Sequence, residues 1–307
     1  MKKLFYLLLL PLLMMSTACD KEDDADYDYT DPGYVMPDYR GKKIGLVLSG
    51  GGAKGAAQIG ALRVMEQNGI KVDYISGTSI GSMLGALYAA GYTSDELEDF
   101  FSNLDEEEAK SSKKVREILS KLLQDKGVTT FQDLKIPFRC VVSDAKNLKE
   151  VVLSEGNVLD AIMASSAIPY VYDNVTIDGN LYVDGGFYNN LPVDVALDMG
   201  AEFTIVVDLR QDGEGFFPKK FNFLIEAITT SPELAHSFFG DATDVVTEYY
   251  NSRPDADKYE QNVNKSDIYI HPRLTNYDAL SFGKSNCKNM IEIGEKAANA
   301  KIQTLAK

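Results

Sequence analysis

Ser79 stands at the centre of Gly77-Thr78-Ser79-Ile80-Gly81, a G-x-S-x-G spacing. The apolar run Val72, Tyr74, Ile75 precedes it, and a small-residue helical pattern at Met83, Leu84, Ala86 and Leu87 follows. Strand, tight turn and helix in that order put a serine at a strained elbow, its hydroxyl beside the unpaired N–H groups of a helix start, where negative charge is favoured. The chemistry that fits is nucleophilic attack on a carbonyl. A plain Gly/Ser-rich turn between two core elements fits the same five residues, so the reading needs a base and a set of donors elsewhere in the chain.

Two other stretches carry residues of those kinds. Lys43 to Leu48 is an apolar run of strand length that leads into SGGGAKG, and a helical pattern with Ile59, Leu62 and Met65 follows from Ala56 and stops at Gly69. So many glycines between Gly50 and Gly55 exclude helix interior and regular strand. A strand, a glycine loop and a helix start together point successive N–H groups at one spot, an anion-binding arrangement. The second stretch is LYVDGGFYNNLP, residues 181–192, in which Asp184 ends a strand-like run and is followed by Gly185 and Gly186. Open sheets present functional groups at strand ends.

Gly50, Gly52 and Gly55 also satisfy the dinucleotide fingerprint. That reading wants an acidic residue at the far end of the next strand, but Asp73 falls at its beginning and the strand ends in the Ser79 turn. A Walker phosphate loop fails, because Lys54 is followed by Gly55. A serine–histidine–aspartate triad would have to draw on His236, in a helix-like stretch, or His271, after a strand. Neither lies in a recognisable motif, and both read as structural.

The elements around these motifs alternate. Strands are expected at 136–143, 151–153, 202–208 and 268–270, and helices from a Thr93 to Glu96 capping box, over 157–166, over 193–199 and from Cys287 to Ala306. Between them, Val115, Ile118, Leu119, Leu122 and Leu123 form an apolar stripe. It reads either as packing against the core or as a lid resting on lipid. The alternation gives an α/β fold with a mainly parallel sheet.

The 307 residues carry a formal net charge of -15, which argues against nucleic acid as a partner. Cys19, Cys140 and Cys287 are too scattered for a disulfide framework or a zinc site, although a Cys140–Cys287 bridge stays open. Residues 1–18 have a basic start and a short apolar run and read as a secretory signal. Ser16 to Cys19 resembles the lipobox of bacterial lipoproteins, with Ser16 where such boxes usually carry Leu; an ordinary signal with an incidental cysteine is the alternative. Residues 19–42 are acidic and read as a solvated, flexible tether. An acidic run after such a cysteine resembles the surface-export signals of Bacteroidetes lipoproteins. The expectation is therefore an exported protein, lipid-anchored at the outer membrane through Cys19, with one domain over 43–307.

GGGAKG, GTSIG and DGG, in this order and each at a strand end, resemble the patatin-like phospholipase family. ASSAIPY (164–170), NNLPVDVA and SDIYIHPRL strengthen the likeness, which spans roughly 43–300. The resemblance implies a three-layer α/β fold and a serine–aspartate dyad, with Ser79 as nucleophile, Asp184 as its base and an oxyanion hole on Gly50, Gly51 and Gly52. Gly55, Gly77, Gly81, Gly185 and Gly186 would support those motifs. The family often has Arg where Lys54 stands, and Lys54 would meet a lipid head group or pair with a surface acid. Acyl transfer by a dyad needs no metal or other cofactor. The substrate class implied is an ester of a membrane lipid; a silent surface lipoprotein that uses the fold for binding is the rival reading. Oligomeric state is not legible.

Overall fold

A computed structural model describes residues 24–211 and 228–302. The proposed signal segment and Cys19 lie outside the described residues. The sheet has eight strands: β1 Ile44–Leu48, β2 Tyr74–Thr78, β3 Phe138–Asp144, β4 Lys149–Leu153, β5 Val175–Ile177, β6 Asn180–Asp184, β7 Phe203–Val207 and β8 Ile268–Ile270. Their order is β5-β6-β3-β2-β1-β7-β8, with β4 also paired to β3. The run from β3 through β8 is parallel, while β4, β5 and β6 join antiparallel.

The three layers follow from period-two alternation in a strand buried on both faces. Leu46 and Leu48 of β1 enter one core with Ile205 and Val207, whereas Val47 and Val206 enter a second core on the other face. The first core is covered by helices Ala56–Gln67, Ile80–Ala90 and Lys284–Lys301, and the second by the short helix Val193–Asp198. Helices Ala56–Gln67 and Lys284–Lys301 cross in close contact. A Cβ on Gly60 would lie 2.1 Å from the Ile291 carbonyl oxygen, and one on Gly294 would lie 2.0 Å from that of Ala57. The capping box forms as the sequence implies: Thr93 Oγ1 accepts from the Glu96 N–H at 3.3 Å, and Glu96 Oε2 accepts from the Thr93 N–H at 2.8 Å.

Two expectations change. The acidic stretch is docked on the domain from Asp24 onward. The fully buried Asp24 carboxylate accepts from Thr275 Oγ1 at 2.6 Å and from the Asn276 N–H at 2.7 Å, with Arg273 Nε 3.4 Å away. Tyr29 accepts from the Arg273 N–H, and Met36 enters the main core. A reading weighted by charge passed over the spaced Tyr29, Tyr34, Met36 and Tyr39, whose rings and thioether supply the apolar contact. The cysteine bridge also fails, since Cys140 and Cys287 are both buried free thiols.

Candidate active site

The chain turns at Ser79 between β2 and helix Ile80–Ala90 with φ 54° and ψ -125°, a conformation that costs a non-glycine residue about 1–3 kcal/mol. Its neighbours have to be glycine. A Cβ on Gly77 would fall 2.5 Å from the Gly81 carbonyl oxygen, and one on Gly81 would fall 2.2 Å from that of Leu48. The elbow is tied down by Ser165, whose Oγ accepts the Ser79 N–H at 2.9 Å and donates to the Val141 carbonyl at 2.6 Å.

That carbonyl marks the place where two strands meet end to end. The Pro137 carbonyl accepts from Ile75 of β2, and Ala145, an even number of residues further on, donates to Leu181 beside β6. Residues an even number apart use the same edge of a strand, so β2 and β6 share one edge of β3 and approach from opposite directions. β2 pairs as far as Thr78 opposite Val141, and antiparallel β6 arrives at Asp184 opposite Val142. Sheet register thus carries Ser79 and Asp184 to one point. Gly185 follows directly, and a Cβ there would come 2.2 Å from the Val141 oxygen.

Asp184 is wholly buried. Its Oδ1 accepts the Gly186 N–H at 2.8 Å, and its own N–H donates to the Ala167 carbonyl at 3.0 Å. Burial pushes its carboxyl up to about 7, even though the Ser79 hydroxyl and the Gly186 N–H both pull it back down. Oδ2 has no hydrogen bond of normal geometry among the described residues. The Ser79 hydroxyl is close enough to act on the carboxyl's charge.

The glycine loop lies against the elbow: a Cβ on Gly50 would be 3.1 Å from Ser79 Cβ. Gly50 does not offer the donor that the resemblance implies. Its N–H is committed to the Asn190 carbonyl at 3.2 Å, and its own carbonyl accepts from Asn190 Nδ2 at 3.3 Å. Gly51 and Gly52 carry no such bond among the described residues, and Gly52 has φ 60°. Ile80, first residue of its helix, adds an N–H that helix geometry leaves unpaired. Gly55 packs on Ile80, where a Cβ would fall 2.4 Å from its Cγ1. Lys54 is 5% exposed, so it is turned into the fold and is not a surface cation.

Sequence reading missed the brace that holds these parts together. Thr78 Oγ1 donates to the Asn189 carbonyl at 2.8 Å and Ser76 Oγ to that of Pro192 at 2.7 Å. With the Asn190–Gly50 pair, the NNLP segment ties the glycine loop to β2.

Ser79 and Gly52 open on a cavity of about 70 Å³ whose walls are almost wholly apolar, among them Met83, Leu84, Phe101, Leu119, Val171 and Phe282. Its wall includes Ser166, whose buried Oγ has no partner among the described residues. The apolar stripe of helix Ser112–Asp125 serves both packing and this wall, since Val115, Leu119 and Leu123 enter the core. His236 is exposed on helix Pro232–Phe239, and His271 Nε2 lies 2.5 Å from the Arg210 carbonyl oxygen; neither lines the cavity. Asp73 caps the start of β1, accepting the Ile44 N–H at 2.7 Å, at the opposite end of the sheet from the glycine loop. The dinucleotide reading loses its ribose partner there. No cluster of His, Cys, Asp and Glu suited to a metal ion occurs among the described residues.

Known proteins are similar to this chain over part of its length. The family model for patatin-like phospholipase matches residues 46–197, which include the glycine loop, the elbow and Asp184. The chain is 32% identical over 194 residues to patatin-like phospholipase domain-containing protein 7 of Rattus norvegicus, and 33% identical over 198 residues to protein 6 of Homo sapiens; each alignment covers 57% of this chain and 14% of the relative. It is 33% identical over 185 residues to a lysophospholipase of Mycosarcoma maydis, covering 55% of this chain and 10% of that protein. The chain thus spans about a seventh or less of the relatives it matches. Matched over the stretch that carries all three motifs, the chain belongs to the patatin-like phospholipase family.

Proposed function

We propose that this protein is a lipid acyl hydrolase in which Ser79 attacks an ester carbonyl, Asp184 takes its proton, and the N–H groups of Gly51, Gly52 and Ile80 receive the carbonyl oxygen. One observation carries the reading: the serine at the strained elbow faces both the buried carboxyl and an apolar slot fit for an acyl chain. As Ser79 Oγ bonds to the carbonyl carbon, its proton passes to Asp184 and the carbonyl electrons move to oxygen. Fixed N–H donors are worth most where that charge develops. Collapse then breaks the bond to the alkoxy oxygen, which leaves with the proton from Asp184. Water repeats the sequence on the acyl-serine, with Asp184 again as base, and releases the fatty acid. A carboxyl poised near neutral pH suits both roles, accepting and returning the proton.

The test offers the full chain phospholipids, lysophospholipids and p-nitrophenyl esters, beside Ser79→Ala. Hydrolysis lost in the variant supports the reading; equal rates in both would overturn it and favour a binding module. We propose further that Cys19 is lipidated and anchors the protein at the outer membrane; the lipobox-like Ser16 to Cys19 run supports this.

A further inference from the structure

The slot beside Ser79 has a small apolar interior of about 70 Å³. Its wall includes Phe100 and Leu104, from the end of helix Ser94–Asn103 and just past it, and Ile118 of helix Ser112–Asp125. The same three side chains also line an open surface groove of about 670 Å³ on their other side, together with Tyr92, Leu122 and Lys126. Phe100 and Ile118 are half-buried, as a partition between a closed space and an open one requires. Phe100 leans edge-on against Phe101, with ring centroids 6.3 Å apart, and Phe101 packs on Phe282, so the partition is backed by aromatic rings from two segments.

We propose that Phe100, Leu104 and Ile118 form a partition that sets acyl-chain length, so that the unaltered protein favours shorter acyl chains than one in which the partition is trimmed. The inference rests on the acyl-hydrolase reading. Within the slot each added methylene is buried, and a buried methylene favours binding about fourfold. Where the chain reaches the partition, an end that cannot pass has to push rings off their packing. Trimming the partition joins slot to groove and lets the tail run out.

The experiment measures kcat/KM for p-nitrophenyl esters of graded acyl length, with wild type, Phe100→Ala, Ile118→Ala and the milder Ile118→Val. Leu122→Ala, at a side chain that lines the groove and packs on the core but does not line the slot, is the control for a general loosening of these helices. The wild type is expected to rise with each added carbon and to fall once the chain reaches the partition. Ile118→Ala and Phe100→Ala should raise the ratio of long-chain to short-chain kcat/KM at least about tenfold, and Ile118→Val should do so by less. Leu122→Ala should leave the ratio alone. A wild-type optimum at long chains, or a ratio unmoved in the Phe100 and Ile118 variants, overturns the inference while leaving the hydrolase reading intact. No Ser79-dependent hydrolysis at any length overturns that reading, and this one with it.

Discussion

Asp184→Asn should abolish hydrolysis and, above neutral pH, make the fold more stable. Burial raises this carboxyl from 3.8 to about 7, so between those values the folded protein keeps a proton that the unfolded chain has lost. Folding then takes up a proton, and stability falls as pH rises across that window, levelling off only above the folded value. Three pKa units at about 1.4 kcal/mol each set a cost of about 4 kcal/mol at pH 8, as an order of magnitude. Asparagine keeps an acceptor for the Gly186 N–H and carries no charge, so it escapes that cost. Urea unfolding followed by circular dichroism, on wild type and variant from about pH 5 to pH 9, reads the difference directly. The variant should be the more stable by about 2 kcal/mol at pH 5, a gap that grows to about 4 kcal/mol at the alkaline end. The same ionisation sets activity, so wild-type kcat/KM should climb with pH about a midpoint near 7. A stability gap that does not change with pH, or a variant weaker than wild type at pH 8, would refute the burial argument.

Four further outcomes are expected. A fluorophosphonate probe should label wild type, His236→Ala and His271→Ala alike and fail on Ser79→Ala; loss of label in either folded histidine variant would make a histidine the base. Gly51→Val places a Cβ 2.8 Å from the Leu209 side chain and should displace the loop, lowering kcat by about 100-fold with the circular dichroism spectrum unchanged, as loss of one oxyanion donor does. Asn190→Ala frees the Gly50 strand end and should lower kcat about tenfold with little change in KM, and Asn190→Asp should restore less than half of that loss. Cells given radioactive fatty acid should label the wild-type protein and not Cys19→Ala, and equal absence of label in both would remove the anchor.

Motifs whose members are close in sequence were legible, because short-range sterics impose them. Gly77 is such a case, because the carbonyl of Gly81 four residues on excludes a Cβ there, whereas at Gly81 the excluding carbonyl is that of Leu48 on β1 and comes only with the fold. The helix from Ala56 and the Thr93 capping box were readable for the same reason. What escaped depends on contacts between distant segments. Asn190 and Gly50 are 140 residues apart, and nothing local in either announces that one occupies the other's N–H. Gly50 accordingly looked equivalent to Gly51 and Gly52 in sequence and is not equivalent in the fold. Ile118 was visible in the apolar stripe of helix Ser112–Asp125, but that it meets Phe100 and Leu104 at the slot depends on how two charged helices pack.

In the proposed mechanism the strand junction lets a carboxylate serve without an imidazole. β2 and β6 end head to head on one edge of β3, and there Ser165 donates to the Val141 carbonyl while holding the Ser79 N–H. Asp184 is sealed beside Ser79 at 0% exposure. Sealing is what raises its pKa, and a carboxyl left in water near 4 would be a feeble base at neutral pH. The strain at Ser79 and the buried acid at Asp184 both oppose folding, and both are imposed by the same β2–β3–β6 register. In the proposed mechanism the dryness of the junction is what lets Asp184 act as the base.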